Sequence, residues 1–418
     1  MNHKPMEEIR KLSKKPGKIL KPRNIEKIPK EVKILALTYF VYTLGSKSVS
    51  FFIPVYVENI LGNVSLAGIV VSLYGIAMII LDVPVGDLLD RIGRKTLVLT
   101  GMLVRGIAGI LFFFSTGIEH LILARLTDGT GISFSWDSVW TMVRDKSPKK
   151  LESESMALFE MGPVFSSIVG PILGGFLALK VGLRPVFLLF VLLSFTGLLI
   201  AYKWVDESFE KKESIEDGVK DVVEKDKIFK KSIVDLENLG YRSLLPLIQI
   251  LLYGVCLSNI WFIVPLFAKS LGLNLFLTGL LIGAMYMPGI FKYWFSEISD
   301  KIGDKKLIFY LSVIGSILIL PLIFISDMWI LFAVIVPFFT ILLGLSPSIN
   351  ALVTKTTPGD EMGELTGLYQ NFKHMGMFFG PFIAGFMADY FWISAPFAIS
   401  TISLLILSII TLWSGFDM

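Results

Sequence analysis

The chain has 418 residues, of which 54% are hydrophobic, only 18% are charged and 33 are phenylalanine. This balance is typical of a membrane protein with many spans and excludes an ordinary soluble domain, in which about a quarter of the residues are charged. The net charge of +4 does not indicate nucleic-acid binding, because most lysines and arginines lie in the N-terminal tail and between apolar runs.

Residues 1–33 form a basic tail without the short apolar core and small-residue cleavage site of a signal peptide. We expect this tail to lie in the cytoplasm, where it sets topology or touches anionic lipid headgroups.

Apolar runs long enough to cross a bilayer, which takes about 20 helical residues, follow in two sets of six. The runs of the first set are 34–58, 65–85, 97–117, 119–142, 156–178 and 184–204. Those of the second set are 243–268, 276–296, 307–326, 328–352, 364–388 and 392–413. We therefore predict an all-α polytopic membrane protein with twelve transmembrane helices.

The connections between runs alternate in charge. Those near 59–64, 179–183, 269–275 and 389–391 are short and poor in lysine and arginine. Those on the other side hold Arg91, Arg94 and Lys95; Arg144, Lys146, Lys149 and Lys150; Lys301, Lys305 and Lys306; and Lys355. The positive-inside rule then places both termini in the cytoplasm. The predicted domains are a tail (1–33), a six-helix bundle (34–204), a cytoplasmic linker (205–242), a second bundle (243–413) and a short cytoplasmic C-terminus (414–418). Ile215, Val219, Val222 and Val223 predict an amphipathic surface helix in the linker.

A short, charged segment separates the second and third runs, and it reads Gly86-Asp87-Leu88-Leu89-Asp90-Arg91-Ile92-Gly93-Arg94-Lys95. Gly93 permits a positive φ that other residues resist. The cations hold the segment on the cytoplasmic side, and Asp90 offers them, or a helix N-terminus, a counter-charge.

The two sets of runs repeat each other. Pro54 and the pair Gly170-Pro171 have counterparts 211 and 210 positions later, in Pro265 and in Gly380-Pro381. The charged segment returns as residues 296–305, with Asp300 and Gly303 in place, but with Ser296 for the first glycine and Asp304 for Arg94, which we read as a degraded copy. The repeat predicts two bundles about a pseudo-two-fold axis, with a site between them near the midplane.

Gly86, Leu88, Asp90, Arg91, Gly93, Arg94 and Lys95 fit the pattern G-x-L-x-D-R-x-G-R-K, and the segment resembles the signature loop of the major facilitator superfamily. The resemblance covers roughly residues 34–413. It implies alternating access by rocking of two bundles, a cavity lined by the first, fourth, seventh and tenth helices, and a loop around Asp90 that stabilises the outward-facing state. The alternative is a loop that only sets topology.

The fifth run ends in Gly170-Pro171-Ile172-Leu173-Gly174-Gly175. This resembles the fifth-helix motif of proton-driven exporters in that superfamily, although Ser166 and Ala157 replace two of its glycines. Glycines allow close helix packing and Pro171 permits a bend, so a packing motif without directional meaning is the alternative.

Arg125 and Asp128 in the fourth run are three residues apart and can pair. With Gly129 and Gly131 they resemble the superfamily's fourth-helix motif, whose arginine is tied to proton transfer; a static ion pair is the alternative. Asp137 follows nine residues later, about 180° round the helix, so we expect only one of the two acids to face a common cavity. Trp136 and Trp140 share a sector nearer to Asp137.

Lys47 lies near the middle of the first run, where a lysine costs about 2.5–3.5 kcal/mol on insertion scales. It should face protein or water, paired with Asp128, Asp137 or Glu160 or bound to an anionic group of a substrate.

Glu160 is a candidate proton acceptor near the cytoplasmic mouth, or else an interfacial partner of a loop lysine. His374 can change charge at physiological pH, although it can also be an ordinary core histidine. Further polar candidates for the cavity are Asn259, Asn350, Gln370 and Lys373. Asp82 and Lys292 hold equivalent places in the repeat and invite an ion pair between the halves, and Arg105 has no evident partner.

The sequence contains no nucleotide-binding loop of the form G-x-x-x-x-G-K-[ST], and its three histidines and single cysteine lack metal-ligand spacing. We expect no cofactor, no metal and no enzymatic activity. We predict a monomeric transporter of the cell membrane, with protons as the coupling ion, that exports small amphipathic or drug-like compounds. The alternatives are a proton symporter or facilitator that imports a metabolite or organic anion and, from another class, a non-transporting sensor or lipid scramblase.

Overall fold

The computed structural model describes residues 25–209, 241–356 and 362–415, and every regular element in these ranges is a helix. Eight helices are long and apolar enough to cross a membrane, and the bent pair Leu275–Ile290 and Trp294–Ile302 counts as a ninth span. Two further helices of full length, the fourth and the eleventh, are too polar for this test, and the twelfth is apolar but short. The described residues thus form twelve spans, as expected, and the two polar ones line the central cavity.

The spans keep the ordinal names of the apolar runs. In the first half they are Lys30–Ser50 with Ile53–Leu61, Val64–Ile92, Arg94–Phe114, Ile118–Asp145, Glu152–Val181 and Leu183–Trp204. In the second half they are Tyr241–Ser270, Leu275–Tyr286 with Lys292–Ile302, Asp304–Ile319 with Pro321–Phe324, Met328–Thr356, Met362–Tyr390 and Phe397–Trp413.

Prolines account for the broken spans. The first span is interrupted at Phe51 and Phe52, just before Pro54, because proline has no N–H to continue the helical ladder. Phe52 instead donates to the Val49 carbonyl at 2.8 Å, a tighter turn. The ninth span breaks before Pro321, and the twelfth begins five residues later than expected, after Pro396.

The packing is the same in both halves. The first span packs on the fifth and sixth, as the seventh packs on the eleventh and twelfth, and the third packs on the sixth as the ninth does on the twelfth. The halves meet along two equivalent seams, between the second and eleventh spans and between the fifth and eighth. This is the expected pseudo-two-fold arrangement of two six-helix bundles.

We call the end with the turns at Gly93 and Gly303 the motif end, and the end with the turns at Gly62 and Gly272 the distal end. That the motif end is cytoplasmic remains a prediction, as do the domain boundaries. Most of the basic tail, the surface helix expected near residue 215 and the last three residues lie outside the described residues.

Candidate functional site

A cavity of about 420 Å³ lies between the two halves and is lined by both. Besides the first, fourth, seventh and tenth spans, the second, third, fifth, eighth and eleventh contribute side chains to it. Eight of the expected site residues line it, namely Lys47, Arg125, Asp128, Trp136, Asp137, Gln370, Lys373 and His374.

Backbone contacts between the halves close the distal end. A Cβ on Gly68 would collide with the Pro381 carbonyl of the eleventh span, and one on Gly279 with the Pro171 carbonyl of the fifth. These two collisions are repeat equivalents of each other. Close approach of this kind requires glycine, so the two seams are built from the same small-residue contacts.

Polar groups fasten the same end. The Asp389 carboxylate of the eleventh span accepts from the Ser65 backbone N–H at 2.7 Å and from the Val64 N–H at 3.3 Å. It therefore caps a helix of the other half, where a negative charge is favourable. Lys269 donates to Asn59 at 2.7 Å and pairs with Glu58, again across the halves.

Deeper in the molecule, the halves meet at Asp82 and His374. The Asp82 Oδ2 lies 2.6 Å from the His374 Nδ1, and both residues line the cavity. The atoms are close but not aligned as a hydrogen bond, so the contact is an ion pair whenever the imidazole is protonated. The expected partner of Asp82 was Lys292, whose side chain lies outside the described residues.

Asp128 is held by two arginines. Its Oδ2 accepts from Arg125 at 3.0 Å, which is the expected pair, and its Oδ1 accepts from Arg105 of the third span at 2.8 Å. Both carboxylate oxygens are thereby used, and the Asp128 side chain is only 3% exposed. The three groups carry a net charge of +1.

Aromatic rings stabilise the two guanidinium groups. Arg125 stacks 4.3 Å from the Tyr74 ring centroid, and Arg105 lies 5.4 Å from the rings of both Tyr42 and Phe190. Arg125 also donates to the Val71 carbonyl, which ties the fourth span to the second.

The fifth-span glycines position Lys47. A Cβ on Gly170 would meet the Lys47 side chain and backbone, and one on Gly174 would collide with the Ser48 carbonyl. Gly175 instead faces Leu275 of the eighth span, at the distal seam. The motif therefore fixes the first span within its half and also closes the distal end.

Four expected site residues lie elsewhere. The amide of Asn259 is buried and donates to the Pro396 carbonyl and to Ser400, which ties the seventh span to the twelfth. Asn350 is exposed and accepts from Tyr369. Trp140 packs in an apolar cluster of the first half, and Glu160 is half-buried; neither lines the cavity.

Asp128 and Asp137 both line the cavity, which corrects the expectation that only one could. Nine helical residues rise about 13 Å along the axis, so the two acids meet the cavity at different levels. Asp137 lies within electrostatic range of Asp82 and Lys373.

Sequence reasoning missed several cavity residues, above all Tyr74, Trp261 and Tyr286, and gave Arg105 no partner. The isolated charge of Arg105 in an apolar run was a signal that a partner exists. The aromatic residues gave no signal, because 33 Phe, 12 Tyr and 8 Trp are spread through the chain.

Several contacts of the signature turn lie within its own half. The Arg94 Nε lies 2.6 Å from the Asp145 Oδ2 of the fourth span, in an ion pair without hydrogen-bond alignment. The N–H groups of Arg94 and Lys95 donate to Glu207 at 3.1 Å, and the Lys95 ammonium donates to the Tyr202 carbonyl at 3.0 Å. Helices three, four and six are thus joined at the motif end.

Asp90 and Asp300 take little part in these contacts. Asp90 is largely exposed and reaches Arg94 only at 3.6 Å, while Arg91 pairs with Asp87 at 3.0 Å. The third helix is capped by Glu207 instead of Asp90. Asp300, its repeat counterpart, is also exposed.

The second copy of the turn is charge-swapped, which corrects our reading of it as degraded. Asp304 stands at the place of Arg94 and pairs with Lys355, which stands at the place of Asp145. Lys305 donates to the Ser414 carbonyl at the end of the twelfth helix, as Lys95 does at the end of the sixth. Gly93 and Gly303 have the same positive φ, 91° and 94°.

The chain is similar to known transporters over nearly its whole length. The family model described as Major Facilitator Superfamily matches residues 35–375 and 247–417. An uncharacterised MFS-type transporter of Methanocaldococcus jannaschii is 23% identical, over 92% of this chain and 98% of its own length. The multi-drug resistance efflux pump PmrA of Streptococcus pneumoniae is 24% identical, over 87% and 91%.

Solved structures with the same fold include a D-xylose-proton symporter, with a TM-score of 0.72 and 16% identity over 93% of this chain and 98% of that one. The nucleoside transporter NupG has a TM-score of 0.75 and 13% identity over 92% and 100%. At these identities the likeness concerns the fold alone.

Proposed function

Because the chain belongs to the major facilitator superfamily, we propose that it is a proton-coupled antiporter that exports small amphipathic compounds by alternating access. The observation that carries this proposal is the cavity between the halves, closed at the distal end by two equivalent seams and lined by charged and aromatic side chains. Relatives named as multi-drug resistance efflux pumps support the export direction.

The polar contacts at the two ends of the molecule fit a cavity that opens alternately to either side of the membrane. The distal polar contacts, from Asp389 of the eleventh helix to the N-terminus of the second and from Lys269 to Glu58, all join one half to the other. At the motif turns, the ion pair of Arg94 with Asp145 and the hydrogen bond of Lys305 to Ser414 join helices within a half. A rocking motion can therefore open the distal end by releasing a few polar contacts while each bundle stays intact.

We place proton coupling at the level of Asp82, Asp137, Lys373 and His374. Asp82 and His374 bridge the halves, and Asp137 adds a second carboxylate within electrostatic range. A proton taken up by Asp82 or lost by His374 removes the ion pair, and the contact between the second and eleventh spans weakens. Because both carboxylate oxygens of Asp128 accept hydrogen bonds from arginines, we assign Asp128 a structural role and not the role of proton carrier.

The test is transport by purified protein in proteoliposomes under an imposed pH gradient of each sign. The panel contains cationic and neutral amphipathic dyes, organic anions and sugars. Movement of a compound against the proton flow supports the antiporter. Movement only with the proton flow favours the second candidate, a symporter or facilitator for import, which the cationic interior around Lys47 suits if the cargo is an organic anion.

A further inference from the structure

Lys47 is a cavity cation without an acidic partner. Asp128 holds Arg105 and Arg125, but in the described parts of the chain no carboxylate lies within 4 Å of the Lys47 ammonium. Its neighbours are the faces of Phe51 and Trp261, at 5.3 and 5.9 Å from the ring centroids. Ring faces stabilise an ammonium but leave its hydrogen-bond donors for another group.

Two further donors lie beside it. The indole N–H of Trp261 and the hydroxyl of Tyr286 are buried, line the cavity and have no hydrogen-bond partner among the described residues. Trp261 and Tyr286 are close enough to interact but are not aligned with each other. The Tyr286 ring lies 5.3 Å from the Phe51 ring, so the donors surround one aromatic group. Ammonium and indole groups donate only, so this set calls for an acceptor.

The charged cluster within electrostatic range of Lys47 has the same net sign as its ammonium. The cluster of Arg105, Arg125 and Asp128 carries +1 and faces the same cavity. The remaining cavity acids, Asp82 and Asp137, lie toward His374 and Lys373. The potential around Lys47 is therefore positive, which is costly in a membrane interior unless a negative group compensates for it.

We infer that the cavity takes amphipathic organic anions. A carboxylate, sulfonate or phosphate group binds the Lys47 ammonium with the Trp261 and Tyr286 donors, and the apolar body lies against the Phe51 ring. This inference rests on the proposed function and narrows its substrate class from amphipathic compounds in general to those with one negative group.

The test compares three probes with one phenylbutyl body: 4-phenylbutane-1-sulfonate, 4-phenylbutan-1-ol and trimethyl(4-phenylbutyl)ammonium. Equilibrium binding to the full chain in neutral-lipid nanodiscs is measured by calorimetry. We expect the sulfonate to bind at least tenfold more tightly than the other two, since a charge-assisted hydrogen bond contributes about 1.5–3 kcal/mol. Lys47→Gln should remove this preference, Lys47→Arg should retain most of it, and Lys180→Gln, at an exposed lysine of the fifth helix, should leave it unchanged.

The inference is overturned if the sulfonate shows no saturable binding, if the alcohol or the ammonium probe binds as well, or if Lys47→Gln retains the preference. The first two readouts use the wild-type protein and so do not depend on the folding of a variant. Trp261→Phe, which keeps a ring but removes the N–H, should weaken binding of the sulfonate alone by roughly fivefold or more.

Because binding is measured without flux, proton-driven transport of other compounds without sulfonate binding refutes only this inference. Sulfonate binding without any transport refutes only the proposed function.

Discussion

Asp128 shows how one carboxylate can hold three helices together. It compensates two guanidinium groups, from the third and fourth spans, and Arg125 reaches the second span through the Val71 carbonyl. Such a cluster is expensive to bury but more expensive to break, because removal of one member leaves uncompensated charge.

We therefore expect Asp128→Asn to destabilise the protein by about 3–5 kcal/mol, the range for breaking a buried ion pair. Thermal unfolding followed by tryptophan fluorescence measures the effect. Asp137→Asn is the matched control on the same helix: its side chain has no ion pair within 4 Å among the described residues, so its midpoint should stay near that of the wild type. Equal losses in the two variants would contradict the structural role of Asp128.

His374 and Asp82 form an ion pair only when the imidazole is protonated and the carboxylate is ionised. Loss of the proton from His374 or uptake of a proton by Asp82 therefore removes the ion pair. Asp82→Asn should thus abolish transport driven by a pH gradient and leave exchange without a gradient measurable. His374→Gln should act in the same direction.

Paired flux assays, with and without a pH gradient, measure both effects. Glu119→Gln, at an exposed acid near the distal end, serves as the control. Glu160→Gln is the competing variant: if it alone abolishes gradient-driven flux, the coupling site lies at Glu160 and not at the contact between the halves.

At the scale of the element, the glycines of the fifth span are packing surfaces with specific partners. Gly174→Ala would force its methyl group into the Ser48 carbonyl and shift the first span, which costs about 1–3 kcal/mol by overpacking. Gly86→Ala, in the signature segment, has open space around it and lies within a helix. It should be neutral or stabilise by about 0.5–1 kcal/mol.

Unfolding midpoints of these two alanine variants provide the comparison, and both substitutions add one methyl group. A larger loss at Gly86 than at Gly174 would show that the seam between the first and fifth spans is looser than its geometry indicates.

The charge-swapped turns allow a reciprocal test. Asp304→Arg places two cations together and Lys355→Asp two anions, and each should destabilise the second bundle. The double variant recreates the order found at Arg94 and Asp145 and should recover part of the loss. Because the Lys355 side chain is 62% exposed, solvent screens the pair, and we expect a coupling energy of about 1 kcal/mol. A double-mutant cycle of unfolding midpoints measures it, and additive losses would argue against the pair.

The positions of the helices along the chain could be predicted well from the sequence. Which face of each helix meets which neighbouring helix could not. Apolar length and proline positions locate helices because both act along the chain, and Arg125 with Asp128 could be paired because one helix turn joins them. Arg105 and His374 could not be assigned, since their partners lie on other helices. Asn259 shows the same limit: a polar residue in an apolar run must face protein, but the run does not say which neighbour it meets.

At the scale of the whole molecule, the proposed mechanism makes the distal end, which is closed in this structure, a gate. Ser65→Cys with Asp389→Cys places two thiols where the Ser65 hydroxyl now donates to the Asp389 carboxylate at 2.5 Å. Cross-linking should stop transport and reduction should restore it, because the two residues must separate when the gate opens. Single-cysteine variants are the control, and the native Cys256 is buried. Full transport by the cross-linked protein would show that this gate stays shut during the cycle.

The glycine contacts along the two seams between the halves affect the rate at which the distal end can open. Where Gly68 meets the Pro381 carbonyl and Gly279 the Pro171 carbonyl, backbone lies directly against backbone. Backbone contacts of this kind separate without rotamer changes, and polar contacts such as those of Asp389 add to the activation barrier for opening. If opening limits the cycle, a substitution that adds a side chain at Gly68 or Gly279 should slow turnover even where substrate binding is unchanged.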